Sequence, residues 1–247
     1  MKFDALIVSH GQPSDPDVGE AEIAALAAKV GQYLPEARVE GVTLATPGRI
    51  EALSAERPGA LVYPMFMADG WFTRSQLPKR LADGVGPQLV SFGMDCTLPM
   101  LAANWLRTVC ADQGLEPAQI DLVIAGHGSG KSRRVSDATR AFADRMASDF
   151  KPKSVRCGFV EEDPSLTDAL TGLTASSICL PYFAAKRGHV LDDLPEAVAE
   201  SGYTGHVLDP IGLHPDVPKM IADALRWRAT TPDVSQCVIR ERIFTKR

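Results

Sequence analysis

The chain contains an internal repeat, and this repeat restricts it to a fold made of two similar halves. His10 lies in LIVSHG, and His127 lies in LVIAGHG, 117 positions later. The same offset, without a gap, matches further residues of the two copies: Gly41 with Gly158, Pro47 with Pro164, Leu53 with Leu170, Pro64 with Pro181, Phe66 with Phe183, Leu77 with Leu194 and Pro78 with Pro195. We therefore predict two halves, 1–115 and 116–230, followed by a tail, 231–247, outside the repeat.

Short apolar runs alternate with amphipathic segments in each half, a pattern typical of parallel strands joined by crossover helices. The predicted strands are Ala5–Ser9, Arg38–Thr43, Ala60–Pro64 and Gln88–Phe92 in the first half, and Asp121–Ala125, Ser154–Val160, Ser177–Pro181 and His206–Leu208 in the second. The predicted fold class is α/β: two similar halves, each a parallel sheet flanked by helices, facing each other across a cleft.

Composition excludes several classes of protein. The 247 residues suffice for two domains of roughly 110–120 residues that each bury a core. A net charge of −5 argues against a nucleic-acid binder. No apolar run approaches the ~18 residues of a membrane span, and the start, MKFDALIVSHG, lacks a signal peptide, so we expect a cytoplasmic protein. Five dispersed cysteines indicate reduced thiols and no cysteine metal cage: Cys96, Cys110, Cys157, Cys179 and Cys237.

The two copies differ where metal ligands would lie. Under the repeat offset, Glu161 matches Leu44, and His189 matches Phe72. The first copy therefore keeps only His10 of a set that the second copy has in full. A duplicated fold with one polar and one apolar version of the same site predicts a single working site, in the second half.

His127, Glu161 and His189 follow three successive predicted strands of the second half. Because ligands bind beyond the carboxyl ends of parallel strands, we expect these side chains to converge at one edge of the sheet. Two imidazoles and a carboxylate suit borderline divalent ions such as Fe, Co, Ni or Zn. Three protein ligands leave coordination positions open, as a catalytic or transfer site requires.

Each histidine and acidic residue also has a structural interpretation. A histidine after a strand can cap a helix or hydrogen-bond within a turn. His10 is either a retained structural residue or a second contact with substrate, and structural roles are favoured for His206 and His214. Asp192 and Asp193 are interpreted as supporting a helix start, where the dipole favours carboxylates.

A second motif competes with the metal site. Ala125–Ser132 reads AGHGSGKS, a loosened P-loop in which Gly130, Lys131 and Ser132 would hold phosphates and magnesium. Against this interpretation, no later strand ends in a Walker B aspartate. The corresponding segment around His10 lacks Gly-Lys-Ser, and the P-loop leaves the other candidate ligands unexplained.

Three segments resemble a known family. AGHGSGKSRR, CGFVEEDPSL and LPYFAAKRGHVLDDLP are similar to the class II chelatases that metallate sirohydrochlorin, in cobalamin and siroheme synthesis. The resemblance covers about residues 1–228 and is strongest in the second half. It implies two fused chelatase-like halves and a lyase that inserts Co²⁺ or Fe²⁺, with Ni²⁺ also compatible, into sirohydrochlorin or a related tetrapyrrole. A non-catalytic metal or tetrapyrrole carrier of the same fold is the alternative, and no nucleotide is expected.

The resemblance also implies roles for individual residues. His127 and His189 would bind metal and act in catalysis together with Glu161, for which Glu162 is the alternative because this loop is one residue shorter than in the family. The first half reads DGWFTRSQLP at the second histidine motif, so Trp71 and Phe72 would contribute an aromatic wall.

Sirohydrochlorin carries many carboxylates, so cations are expected beside the site. The candidates near the two histidine motifs are Lys131, Arg133, Arg134, Lys186 and Arg187, with Arg74 and Lys79 in the first half. His10, Trp71 and Phe72 complete the residues expected to contact the ring. A fused form needs no second copy to complete its site, so monomer and homodimer both remain open.

Overall fold

The computed structural model describes residues 2–130 and 133–231. The strands are β1 (Phe3–Ser9), β2 (Ala37–Thr43), β3 (Leu61–Pro64), β4 (Asp121–Gly126), β5 (Ser154–Phe159), β6 (Ser177–Pro181) and β7 (His206–Val207). The helices are α1 (Pro16–Tyr33), α2 (Arg49–Ala55), α3 (Leu77–Arg80), α4 (Leu98–Asp112), α5 (Arg133–Asp149), α6 (Leu166–Leu170), α7 (Asp193–Ser201) and α8 (Val217–Thr230). Lys131, Ser132 and the tail from residue 232 lie outside the described residues.

The strands form two parallel sheets, with the orders β2-β1-β3 and β5-β4-β6-β7. Helices α1 and α2 join the strands of the first sheet, and α5, α6 and α7 join those of the second. The predicted α/β class with two similar halves is confirmed. The strand predicted at Gln88–Phe92 is reduced to one bridge between Val62 and Gln88. Pro87, which has no N–H to donate, precedes this bridge, and the chain turns into a 3₁₀ helix at Phe92.

The second sheet is formed around two strands that are buried along their whole length. Every residue of β4 and of β6 is buried, as expected for central strands covered by helices on both faces. In α5 the residues Ser136, Thr139, Ala143 and Met146 are buried at intervals of three or four, so one face of this helix packs on the sheet. This packing holds the strand ends, and the loops that follow them, in fixed positions.

The described chain forms two compact units that differ from the predicted halves. One comprises residues 2–96 and 215–231, and the other comprises residues 97–214. Helix α4 therefore lies in the second unit, packed on α5, and α8 lies in the first, packed on α1 and β3. An ion pair of 2.8 Å between Arg226 Nε and Glu36 Oε1 attaches α8 to the segment between α1 and β2. The repeat offset does not reveal this exchange of final helices, because the exchange leaves the sequence period unchanged.

The two sheets pair their first and second strands in registers that differ by one residue. Ser9 lies opposite Thr43 in the first sheet. Its repeat partner Gly126 lies opposite Phe159 in the second, although the offset of 117 would match Thr43 with Val160. The pairing of the first and third strands keeps the offset in both sheets. The shift is therefore confined to β2 and β5.

This shift changes which residue of the first half corresponds to Glu161. Counted from the strand pairing, Glu161 corresponds to Ala45 and not to Leu44, the residue that the sequence offset selects. Leu44 is 9% exposed and belongs to the apolar core of its unit, whereas Ala45 is half-buried. A one-residue slip turns side chains to the opposite face of a strand, so the distinction is a physical one.

Within residues 2–130 and 133–231, no helix combines the length and the apolar character that a membrane-spanning segment requires.

Candidate metal centre

The structure brings the three predicted ligands together at one edge of the second sheet. His127 directly follows β4, Glu161 follows β5 by two residues, and His189 lies in a 3₁₀ turn after β6. One ligand atom from each of the three lies within 4.8 Å of the others. Parallel strands end at a common edge, which explains why residues so distant in sequence meet.

The geometry of the cluster leaves it open to incoming molecules. The imidazole centroids of His127 and His189 are 4.4 Å apart, and their planes lie at 83°. Glu161 Oε2 is 3.7 Å from His127 Nδ1. All three side chains are partly exposed, at 41% for His127, 48% for Glu161 and 38% for His189. A divalent ion held by these groups would keep coordination positions for a further ligand.

The backbone after β4 requires glycine at position 128. Gly128 has φ of +69°, and a Cβ there would lie 2.8 Å from Glu162 Cγ and 2.9 Å from Phe159 Cβ. The turn is therefore both left-handed and tightly packed, which only glycine tolerates. His127 Nδ1 lies 3.0 Å from the Gly128 carbonyl oxygen. A neutral imidazole that donates from Nδ1 to this carbonyl presents a bare Nε2.

His189 has a carboxylate partner, Asp193, for which the sequence predicted only a supporting role at a helix start. Its Nδ1 lies 2.9 Å from Asp193 Oδ2, four residues later in the first turn of α7. A histidine that donates to a carboxylate from one nitrogen is oriented to bind metal through the other. The His-x-x-x-Asp spacing across the helix start was the signal available in the sequence. Asp192, by contrast, makes no side-chain capping hydrogen bond.

Glu162 is occupied elsewhere, so the structure places Glu161 and not Glu162 beside the histidines. Glu162 Oε2 accepts a hydrogen bond of 2.9 Å from the Ser129 amide, and its Oε1 accepts one of 3.1 Å from Arg140. Burial raises the pKa of Glu162, but the bonds from Ser129, Ser136 and Arg140 outweigh it and hold that pKa below its usual range. The Ser129 amide, which a P-loop would offer to phosphate, is thus taken by the protein's own carboxylate.

The first unit has a cluster of aromatic side chains at the position that corresponds to the metal-ligand cluster of the second. His10 and Phe72 pack edge to face, with centroids 4.2 Å apart and planes at 88°. Phe72 also contacts Trp71 at 5.1 Å and stacks with Phe66 at 6.3 Å. Trp71 is 62% exposed, a large apolar surface for a side chain of this kind. Among the described residues of this unit, no group of histidine, cysteine and acidic side chains has metal-binding spacing.

The predicted cations have different surroundings. Arg133 and Arg134 are exposed on the first turn of α5, and Arg187 is half-buried. Lys186 is paired with Asp209 at 2.8 Å, so it would have to exchange this partner to meet a substrate carboxylate. Arg74 and Lys79 are exposed in the first unit, and Lys131 lies outside the described residues.

Two parallel sheets that share the order of their first three strands, with a two-histidine, one-carboxylate cluster at the edge of the second, define a chelatase-like α/β protein. Comparison with known proteins agrees with this class. The family model described as CbiX matches residues 121–227. A solved structure of CbiX, the terminal enzyme for biosynthesis of siroheme in denitrifying bacteria, is 43% identical, with a TM-score of 0.81, over 94% of this chain and 100% of that one. The chain belongs to the CbiX family.

More distant structures share the fold. SirB from Bacillus subtilis, solved with Fe³⁺, is 18% identical with a TM-score of 0.71, over 94% of this chain and 98% of its own. DR2241 from Deinococcus radiodurans, a multi-domain protein, is 18% identical with a TM-score of 0.66, over 92% of this chain and 55% of its own. No curated protein sequence matched the chain significantly.

Proposed function

We propose that this protein inserts a divalent metal, Co²⁺ or Fe²⁺, into sirohydrochlorin, with Ni²⁺ as a further compatible ion. One observation carries the proposal: in a member of the CbiX family, ligand atoms of His127, Glu161 and His189 lie within 4.8 Å of one another at the carboxyl ends of three strands. This is the place where parallel sheets bind ligands.

The ligand set suits a metal that must be released. Imidazole and carboxylate bind Co²⁺, Fe²⁺ and Ni²⁺, and among the described residues the cluster contains no thiolate, the ligand that softer ions prefer. Three protein ligands leave coordination positions on the metal to which the pyrrole nitrogens can bind before the protein ligands dissociate. The metal is therefore a substrate, held long enough to be transferred.

Insertion also requires that two pyrrole N–H groups lose their protons. A neutral imidazole that has released the ion has a free ring nitrogen, so His127 and His189 can then accept protons. Glu161, beside His127, would help to hold the ion and relay protons to solvent. The new metal–nitrogen bonds supply the driving force, so the proposed reaction needs no nucleotide.

The remaining predicted residues would bind the tetrapyrrole. Its carboxylates would pair with cations around the metal site: Lys131, Arg133, Arg134, Lys186 and Arg187. Arginine matches such groups best because its planar fork pairs with both carboxylate oxygens. The surface formed by His10, Trp71 and Phe72 would accept an aromatic ring face.

An anaerobic absorbance assay tests the proposal. Purified protein is mixed with sirohydrochlorin and Co²⁺, Fe²⁺ or Ni²⁺ in turn, and the metal-dependent spectral change is followed against a protein-free control. We expect the protein to accelerate the change and the rates to rank the three metals. Ring binding without acceleration would instead identify a carrier. If the ring does not bind at all, the proposal fails, and an ATP titration would test the Gly-Lys-Ser loop.

A further inference from the structure

The loops that carry His127 and Glu161 are joined to each other through Glu162. The main chain contributes hydrogen bonds from the Val160 amide to the Gly126 carbonyl oxygen at 3.2 Å and from the Glu161 amide to the His127 carbonyl oxygen at 3.0 Å. The Glu162 carboxylate adds a side-chain link, since it accepts from the Ser129 amide two residues beyond His127. Glu162 thus bridges back from one ligand loop to the other, beside the metal site and outside its ligand set.

Neighbouring groups hold this carboxylate in place. The Arg140 guanidinium donates to its second oxygen and also lies 4.7 Å from the centroid of the buried Phe159 ring. The Glu162 side chain is 19% exposed, so its bonds are largely shielded from water. A side chain at position 128 would collide with Glu162 Cγ, so the His127 turn and Glu162 pack closely only because residue 128 is glycine.

The first unit has a comparable carboxylate without metal ligands. Glu20 accepts hydrogen bonds from the Thr43 amide at 2.9 Å and the Thr43 hydroxyl at 2.6 Å, and it pairs with Arg49 at 2.8 Å. Its side chain is 15% exposed, close to the value for Glu162. Both residues tie the end of a second strand to neighbouring structure, but only Glu162 adjoins the ligand cluster.

We propose that Glu162 is a positioning residue of the metal centre, which sets the spacing between His127 and Glu161. The inference rests on the proposed function, because it takes these two residues as metal ligands. Without Glu162, the Ser129 amide and Arg140 lose their common acceptor, and the His127 turn loses one of the hydrogen bonds that join it to the Glu161 loop. Ligand groups need placement to within about 0.5 Å, so this loosening weakens binding of the ion.

The experiment is a direct titration with Co²⁺, followed by cobalt absorbance, on wild-type protein, Glu162→Ala, Glu162→Gln and the matched control Glu20→Gln. Loss of a group that bonds a metal ligand directly costs on the order of 10–100-fold in metal affinity, and because Glu162 acts through the Ser129 amide, the lower figure of about 10-fold applies. We expect at least this loss in Glu162→Ala, together with an altered cobalt spectrum. A smaller loss is expected in Glu162→Gln, whose amide oxygen can still accept from Ser129. Glu20→Gln should bind Co²⁺ as the wild type does.

Two further measurements separate a positioning role of Glu162 from a general effect on stability. Thermal unfolding of each variant reports stability, and insertion rates measured as a function of Co²⁺ concentration report use of the metal. Glu162→Gln should raise the KM for Co²⁺ more than it lowers kcat. The inference is overturned if Glu162→Ala, still folded, binds Co²⁺ with wild-type affinity and spectrum, or if Glu20→Gln loses affinity equally. A wild-type protein that binds no Co²⁺ would instead remove the proposed function itself.

Discussion

His10 and Phe72 pack edge to face with their ring centroids 4.2 Å apart and their planes at 88°. His127 and His189 have almost the same arrangement in the second unit, at 4.4 Å and 83°. The two units therefore share the arrangement of two rings, with a phenyl ring in the first unit where the second has an imidazole. The first unit retains the geometry of the site and lacks the groups that bind metal.

This relationship predicts that a second metal site can be built in the first unit. Ala45→Glu combined with Phe72→His adds a carboxylate and an imidazole at the positions that correspond to Glu161 and His189. We expect the Co²⁺ stoichiometry, measured by titration, to rise from one to two ions per chain.

A control variant tests the one-residue shift in register. Leu44→Glu with Phe72→His follows the sequence offset but places a carboxylate in the core, at a cost on the order of several kcal/mol. We expect a lower Tm and one ion per chain from this control. Two ions from the Leu44 variant, and one from the Ala45 variant, would contradict the assigned correspondence.

Asp193→Asn should weaken metal binding without unfolding the protein. The carboxylate that accepts from His189 Nδ1 orients the ring and makes its other nitrogen a better ligand. An amide accepts more weakly, so we expect the Kd for Co²⁺ to rise by about 10-fold, measured by cobalt absorbance. Asp192→Asn is the matched control, since Asp192 makes no side-chain capping bond, and its Kd should remain at the wild-type value. An equal rise in the Kd for Co²⁺ in the two variants would show that metal affinity depends on the local negative charge and not on the bond from His189 to Asp193.

Trp71→Ala should reduce affinity for the tetrapyrrole and leave metal affinity unchanged. Trp71 is mostly exposed, and an aromatic contact of this kind contributes about 0.5–1.5 kcal/mol. The Kd for sirohydrochlorin, from an absorbance titration, should therefore rise by about 2–12-fold. Trp71→Phe should recover most of the loss. A change in the Co²⁺ affinity of Trp71→Ala would show that this substitution affects more than binding of the tetrapyrrole.

Glu20→Gln should reduce stability at neutral pH but not in acid. Burial raises the pKa of Glu20, but the bonds from Thr43 and the Arg49 charge outweigh it and hold that pKa below 4.5. A lowered folded-state pKa stabilises the protein above the unfolded-state pKa, and this contribution is lost as the pH falls through the folded-state value. Chemical denaturation should show a wild-type advantage of about 1–2 kcal/mol at pH 7. The wild-type advantage in the free energy of unfolding should shrink steadily below about pH 4.5. An equal advantage at pH 3 and pH 7 would show that it does not come from the ionised Glu20 carboxylate.

Much of the architecture could be predicted from the sequence, because buried parallel strands and the ligand loops leave local patterns. The apolar run of β4 and the repeat around His10 and His127 indicated the sheets and the position of the site. The convergence of His127, Glu161 and His189 followed from the rule that parallel strands end at one edge. These features depend on sequence period and strand direction, which a single chain displays directly.

Other features depend on packing and left weaker signals. The exchange of α4 and α8 between the two compact units leaves the repeat period unchanged, so an offset in the sequence cannot reveal it. The register shift between β2 and β5 is set by pairing with their neighbours, and an ungapped offset cannot detect it. The bond from His189 to Asp193 depends on how the 3₁₀ turn enters α7, which spacing alone does not determine.

The central claim is that the cluster after β4, β5 and β6 performs metal insertion, and histidine replacement tests it most directly. Anaerobic initial rates of Co²⁺ insertion into sirohydrochlorin would be compared for the wild type, His127→Ala, His189→Ala and His206→Ala. His206 is the control, because it is exposed on β7 and lies outside the ligand cluster. We predict that both ligand variants stay folded and fall to the protein-free rate while His206→Ala keeps the wild-type rate. A wild-type rate in His189→Ala would contradict the account.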